Sequence, residues 1–333
     1  MKTYGILCFV LALAMFAAPV AAFDFSNFST ENVKENLSLF SDSQKEKTKE
    51  DSKQDTVRVL QAASGNVTEV GTIEYLVGCL ACEMPPNYSD EALKAQAVAA
   101  YTNLTRLKET PDGKAENADI TDDTGKHQGY YDEATRREKW GEKYDMYQEK
   151  FTAAVQAVSG QTLTYDGKPV TAAYFSLCAG RTESAQVIWG GDIPYLQSVT
   201  STGDRLSPNL QSDIQLSAEE VRQKLSAEKE ILLEEDPAGW FGEVQYAESA
   251  SGAIAQVTVG GKTLTGQQCR ALLGLPSPAF AVEYKDGTFS FAVQGKGHFV
   301  GMSQYGADYM ARQGADYKEI LAHYYPGTVL ANI

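Results

Sequence analysis

No charge interrupts residues 4–23, and residues 24–55 hold few large apolar side chains. This partition confines everything that can build a packed core to the chain from residue 56 onward. About 20 apolar residues reach across a bilayer. The run ends in Val20-Ala21-Ala22, which also fits a signal-peptidase site. Residues 1–23 therefore read as a cleaved signal peptide or as an uncleaved membrane anchor. Both readings place the remainder outside the cytoplasm. In residues 24–55 only Phe25, Phe28, Leu37, Leu39 and Phe40 are large and apolar, among Ser, Asn, Glu, Lys and Gln. Such a stretch buries too little surface to order itself, so it reads as a flexible stalk, with a surface helix as the alternative.

Over all 333 residues, 43% are hydrophobic and 22% charged, the balance of a globular protein. Acidic residues outnumber basic ones 44 to 29, a net charge of −15. Nucleic-acid binding needs a basic footprint that is missing here, and adhesion to anionic lipid is disfavoured. The balance points to a neutral or cationic partner. Five Cys and three His are too few for a disulfide framework and thin for a metalloenzyme.

Residues 56–60 alternate as a strand does, and 67–77 read as a strand or a strand entering a helix. Residues 90–108 place Leu93, Ala97, Ala100, Leu104 and Leu107 on one helical face. Ser89 is a candidate cap there, and Pro111-Asp112-Gly113 is a stop. Residues 140–159 read as helical. Residues 161–165 and 170–176 flank an Asp166-Gly167 turn and read as a hairpin. Residues 204–210 read as a linker. Ser217-Ala218-Glu219-Glu220 fits a capping box. Strands at 244–247, 253–259, 263–264 and 288–293, and helices at 266–273, 303–313 and 317–324, complete the reading. Helices and strands mix without a βαβ rhythm, so the fold class is α+β. A catalytic lobe over 56–204 and 282–333 is expected, with a smaller α+β lobe, 205–281, inserted between turn signals.

Four segments carry the functional signal. Tyr75 to Pro86 holds Glu83 between an apolar stretch and a Pro-Pro break. A carboxyl against apolar neighbours keeps its proton longer, as a general acid must; an ordinary helix-end Glu is the alternative. The Ala-rich helix at 91–102 carries Lys94, Gln96 and Tyr101, and by itself fits core packing as well as a site. Residues 173–196 place Ser176, Arg181 and Glu183 among aromatics around a Gly turn. That mixture suits a sugar cleft, or a core with a surface loop. Residues 295–307 surround His298, Ser303, Gln304 and Tyr305 with glycines that allow close backbone approach. The segment lacks the Gly-Lys-Ser/Thr ending of a phosphate loop.

Together and in this order the segments resemble the stage II sporulation protein D family: Glu83-Met84-Pro85, the Ala92-to-Ala100 helix, Gly180-Arg181-Thr182-Glu183, and the His298-to-Ala307 loop. The likeness runs from about residue 57 to 330. It implies a membrane-tethered, extracytoplasmic lytic transglycosylase acting in engulfment during endospore formation. Such a protein cuts peptidoglycan glycan strands between N-acetylmuramic acid and N-acetylglucosamine. The implied substrate is strands stripped of stem peptides by a cell-wall amidase partner, and the implied setting is a sporulation membrane complex. Glu83 matches the family's catalytic residue. Lys94, Gln96, Tyr101, Ser176, Arg181, His298, Ser303, Gln304 and Tyr305 are the expected substrate-binding positions.

The sequence departs from the family pattern at several places. Tyr101 stands where Arg is usual and cannot supply its charge. Phe299 stands where Gly is usual, and Lys296 where an aromatic is common. Cys79 and Cys82 are unusual, and are expected to act as buried small hydrophobes. No cofactor is expected. Some relatives carry a Cys…His-Cys zinc set where this chain has Thr121, Lys126 and His127. A zinc peptidase is disfavoured because His-Glu-x-x-His is absent. A glycan-binding module without catalysis, and a hydrolase that adds water, are the alternatives. One matched carboxylate favours an intramolecular mechanism, with Glu183 as the fallback second acid.

Overall fold

The computed structural model describes residues 55–110 and 117–332. The expected signal or anchor, nearly all of the stalk, and the Pro111-Asp112-Gly113 stop lie outside them. Strand β1 (Thr56–Leu60) pairs antiparallel with β2 (Val67–Gly71), whose chain enters α1 (Thr72–Glu83) directly. Tyr75 to Leu80 are buried in α1, and Pro85-Pro86 follows one residue past its last turn. Helix α2 (Asp90–Glu109) buries a broad Ala and Leu face, with Asp90 and Glu91 at its start and Arg106 and Lys108 at its end, which matches the helix dipole. The Ser89 side chain does not cap it. Instead the Ser89 N–H donates to Asp308 Oδ1, 2.7 Å away.

Strand β3 (Ile120–Thr121) adds parallel to β1. The helix expected over 140–159 is α4 (Tyr144–Ala157), and a separate helix, α3 (Glu133–Trp140), precedes it. The break is Gly141, at φ 52°. Strand β4 (Gln161–Tyr165) meets only a two-residue return, β5 (Lys168–Pro169). One further bond, from the Val170 N–H to the Leu163 carbonyl, follows before the chain leaves β4. The chain then forms β6 (Tyr174–Phe175), which pairs parallel with a strand from the far end of the sequence.

Helix α5 (Ala185–Trp189) follows, and then a 3₁₀ turn over Thr202–Leu206 that buries Asp204 completely. The segment expected as a linker is thus partly core. Strand β7 (Gln211–Ser217) leads into α6 (Ala218–Leu225) through the expected Ser217–Glu220 capping box. Strands β8 (Phe241–Tyr246), β9 (Ile254–Val259) and β10 (Lys262–Leu264) form one antiparallel sheet. Helix α7 (Gly266–Leu273) starts at a Thr265–Gln268 capping box. Strand β12 (Thr288–Gln294) lies between β11 (Ala279–Lys285) and β7 and pairs antiparallel with both. Strand β13 (Met302–Ser303) joins β6, and α8 (Gln304–Arg312) and α9 (Tyr317–Tyr324) follow it. Strand β14 (Val329–Asn332) returns to β4.

The architecture is α+β, with several small sheets and, among the described residues, no doubly wound one. Two groups of buried side chains hold it. One gathers α1, α2, α4 and the final helices around Leu80, Leu93, Phe151 and Tyr324. The other gathers α6, α7 and the middle strands around Trp240, Phe289 and Phe291. Among the described residues no helix is long and apolar enough to cross a membrane.

Candidate active site

Glu83 is the last residue of α1, and no basic residue occupies that turn. Burial raises its pKa; two hydrogen bonds, from the Gln304 amide and the Gly129 N–H, pull the other way without restoring it. The helix C-terminus also disfavours a carboxylate. Gln304 Nε2 lies 3.3 Å from Oε2, and Gly129 N 3.4 Å from Oε1. A Cβ on residue 129 would stand 2.5 Å from Cys82 Sγ, so only glycine lets this backbone reach the acid. Neither donor is charged, so the two bonds orient the acid while its pKa stays raised.

Glu83 opens into a cavity of about 600 Å³. Ser176, His298 and Gln304 line it as expected, and so do Gln128 and Tyr174. Among the described residues, Glu83 is the one carboxylate lining it. The Tyr174 hydroxyl donates to Gln128 Oε1 at 3.2 Å; burial, with Glu83 nearby, pushes this phenol's pKa up. Gln128 Nε2 donates in turn to the Tyr75 hydroxyl and to the Ala100 carbonyl. His298 Nδ1 accepts from the Val300 N–H, 3.1 Å away, so the neutral ring carries its proton on Nε2. Burial, then Arg270 beside it, pushes the His298 pKa down to about 4. The ring is therefore neutral at physiological pH. Trp189, 43% exposed, lies 5.3 Å from it between ring centres.

The other expected positions lie off the cavity wall. Ser303 is buried behind it, donates to Asp204 Oδ1 at 2.9 Å, and caps α8. Burial raises the Asp204 pKa, and the Cys178 N–H and thiol also donate to this carboxylate. Tyr305 N–H donates to the Ser176 carbonyl, which ties α8 to β6. Arg181 reaches the Ser198 carbonyl and hydroxyl. Lys94 pairs with Glu91. Tyr101 packs half-buried against the first core. Gln96 is 0% exposed, and neither end of its amide has a hydrogen-bond partner among the described residues. Glu183, the fallback second acid, is bound by the Ser249 and Ser251 hydroxyls and the Ser184 N–H, away from the cavity.

Gln128 and Gly129 were not among the expected site residues. Their only sequence signal is Gln128-Gly129-Tyr130-Tyr131, a run ending in aromatics inside a polar loop. Phe299 adopts φ 71°, a left-handed conformation that favours glycine. Its ring is fully buried, 5.6 Å from Phe175. All four described cysteines are free, and burial holds Cys79 and Cys82 as neutral thiols, Cys82 with a pKa pushed up to about 11. No group of three or more His, Cys, Asp or Glu able to hold a metal ion occurs among the described residues.

A family model described as Stage II sporulation protein matches residues 61–165, which include Glu83 and α2. The chain is 36% identical over 277 residues to stage II sporulation protein D of Bacillus subtilis, covering 83% of this chain and 79% of that protein. It is 37% identical over 273 residues to its Bacillus amyloliquefaciens counterpart, covering 82% and 77%. It is also 28% identical over 311 residues to an amidase enhancer of Bacillus subtilis, covering 77% of this chain and 40% of that protein.

Proposed function

We propose a glycan-cutting role for this cavity on one premise: the chain belongs to the stage II sporulation protein D family. The proposed activity is that of a lytic transglycosylase on peptidoglycan stripped of its stem peptides, outside the cytoplasm, during engulfment in sporulation. The observation that carries it is Glu83, its pKa raised by burial, in a cavity that no second carboxylate lines among the described residues. Hydrolytic glycosidases use two carboxyl groups, one as acid and one as base or nucleophile. A single group suffices when the nucleophile belongs to the substrate.

In the first step Glu83 donates its proton to the glycosidic oxygen as the muramic C1–O bond breaks. The carboxylate left behind takes the proton of that sugar's 6-hydroxyl while O6 bonds to C1. The products are a new 4-hydroxyl end and a 1,6-anhydro ring. Glu83 recovers its proton and no water is consumed. Ring closure is intramolecular, so positioning replaces a second residue. The neutral donors Gln304 and His298, with the Trp189 ring as a sugar platform, suit that positioning. The likeness to an amidase enhancer supports a partnership with a cell-wall amidase that prepares the strands.

The test is mass analysis of products from purified stripped glycan. Anhydro ends support the reading. Ordinary reducing ends, heavier by one water, refute the one-carboxylate mechanism. Absence of any soluble product favours a binding module.

A further inference from the structure

The chain is strongly acidic, with a net charge of −15, yet the cavity wall is not. Against the single carboxyl of Glu83 it presents Arg106, Lys126, Arg270 and Lys296. Lys126 has a partner, Asp123, at 3.8 Å. Arg106, Arg270 and Lys296 have no carboxylate partner among the described residues. The Arg106 Nε–H is buried and has no hydrogen-bond partner among the described residues. The Arg106 guanidinium in the cavity wall thus lacks the acceptor that buried donors normally have.

Arg270 is held ready for the same purpose. It lies in the last turn of α7, and its Nε donates to the Leu275 and Pro276 carbonyls at 3.2 and 3.1 Å, while Nη1 reaches Gln267. The Pro276 carbonyl also receives the N–H of Gly297, beside His298. The turn that fixes the guanidinium is thus the turn that seats the glycine-rich loop. A fork with its stem anchored loses little freedom on meeting a carboxylate. Lys296 is exposed, and its backbone is pinned to Leu177 in both directions.

A neutral sugar polymer needs none of this. We infer that Arg106, Arg270 and Lys296 select a glycan bearing free carboxylates, the lactyl groups of muramic residues that no longer carry peptide. This rests on the glycan-cutting reading above. It reverses the expectation of a neutral or cationic partner, because the local charge at the site opposes that of the whole chain. A stem peptide would consume each carboxylate as an amide, so the same cations discriminate between stripped and unstripped strands.

The test is binding rather than cutting. The full chain carrying Glu83→Gln is titrated with end-labelled stripped glycan strands, and with the same strands after their carboxylates are converted to amides. The stripped strands are expected to bind at least about tenfold tighter, a preference that shrinks at about 0.5 M salt. Arg106→Gln and Arg270→Gln should each weaken the carboxylate form by about tenfold, the worth of a hydrogen bond to a charged group, and leave the amide form within twofold. If either variant misfolds by circular dichroism, Lys296→Gln, on an exposed side chain, carries the same test. Equal affinity for the two strand forms overturns the inference and leaves the glycan reading in place. Failure to bind either form overturns both.

Discussion

Replacing Asp204 by Ala tests whether the buried network behind the cavity holds it together. Asp204 is 0% exposed and accepts from the Cys178 N–H at 2.9 Å, the Cys178 thiol, and the Ser303 hydroxyl. The thiol and the hydroxyl can rotate toward other acceptors, but the Cys178 N–H cannot. An orphaned buried donor costs about 1–3 kcal/mol, and the vacated side-chain volume adds about 1 kcal/mol or more. Asp204→Ala should therefore destabilise by about 3 kcal/mol, a large share of a typical 5–15 kcal/mol. In urea, with a slope of about 3 kcal/mol/M, the midpoint should fall by about 1 M. Asp204→Asn keeps the volume but turns a donor toward a donor, and should cost about 1–2 kcal/mol. The pH dependence has a definite sign. Burial raises the Asp204 pKa, so native stability is greatest with the proton on and declines as pH rises through the native value. The deficit of Asp204→Asn should then be largest in acid and shrink toward neutrality. Ser303 also caps the helix that begins with Gln304, the donor to Glu83. Asp204→Ala should thus lower turnover even where the variant is fully folded. A midpoint unchanged within about 0.2 M refutes the account.

Glu83→Gln should reduce turnover by about 10²-fold or more. It should also raise the melting temperature increasingly above the parent's as pH rises, because the native parent loses stability on giving up that proton; a gap that closes with rising pH contradicts this. His298, at a pKa of about 4, should titrate near that value by NMR and contribute no limb near pH 6.5 to the rate profile; a midpoint above 6 is the contrary result. Cys82, at about 11, should resist alkylation at pH 8 in the folded protein and react on unfolding. Phe299→Gly relieves about 1 kcal/mol of left-handed strain but forfeits about 3–5 kcal/mol of burial, so it should destabilise by about 2–4 kcal/mol; a variant as stable as the parent shows that strain outweighs packing.

The elements legible in the sequence were those with their own local signature. The helix over Gly266–Leu273 and the capping box at Ser217 come from short-range chemistry, and both are present. The apolar run that stops at Glu83 against Pro85 fits an ordinary helix end as well as an acid; the resemblance of Glu83-Met84-Pro85 to the family motif singled it out. What the sequence hid was long-range. Asp204 sits in a polar stretch, Asp204-Arg205-Leu206-Ser207-Pro208, that has the composition of a loop; its burial comes from partners at Cys178 and Ser303. The parallel pairing of Tyr174–Phe175 with Met302–Ser303 has no periodic signal at two residues a strand. Gln128 and Gly129 matter only because the fold brings their loop to Glu83. Lys94 and Arg181 matched motif positions, yet their partners are Glu91 and Ser198.

The acid and its amide partner, Glu83 and Gln304, stand 221 residues apart in the chain. During synthesis the first emerges 221 residues before the second. No fragment ending before Gln304 holds the Glu83 carboxyl from both sides, and strand β6 has no partner until Met302 arrives. A chain cut short before Gln304 therefore lacks an acid oriented from both sides. Under the proposed glycan-cutting function, the long reach of that contact keeps a partial chain from acting.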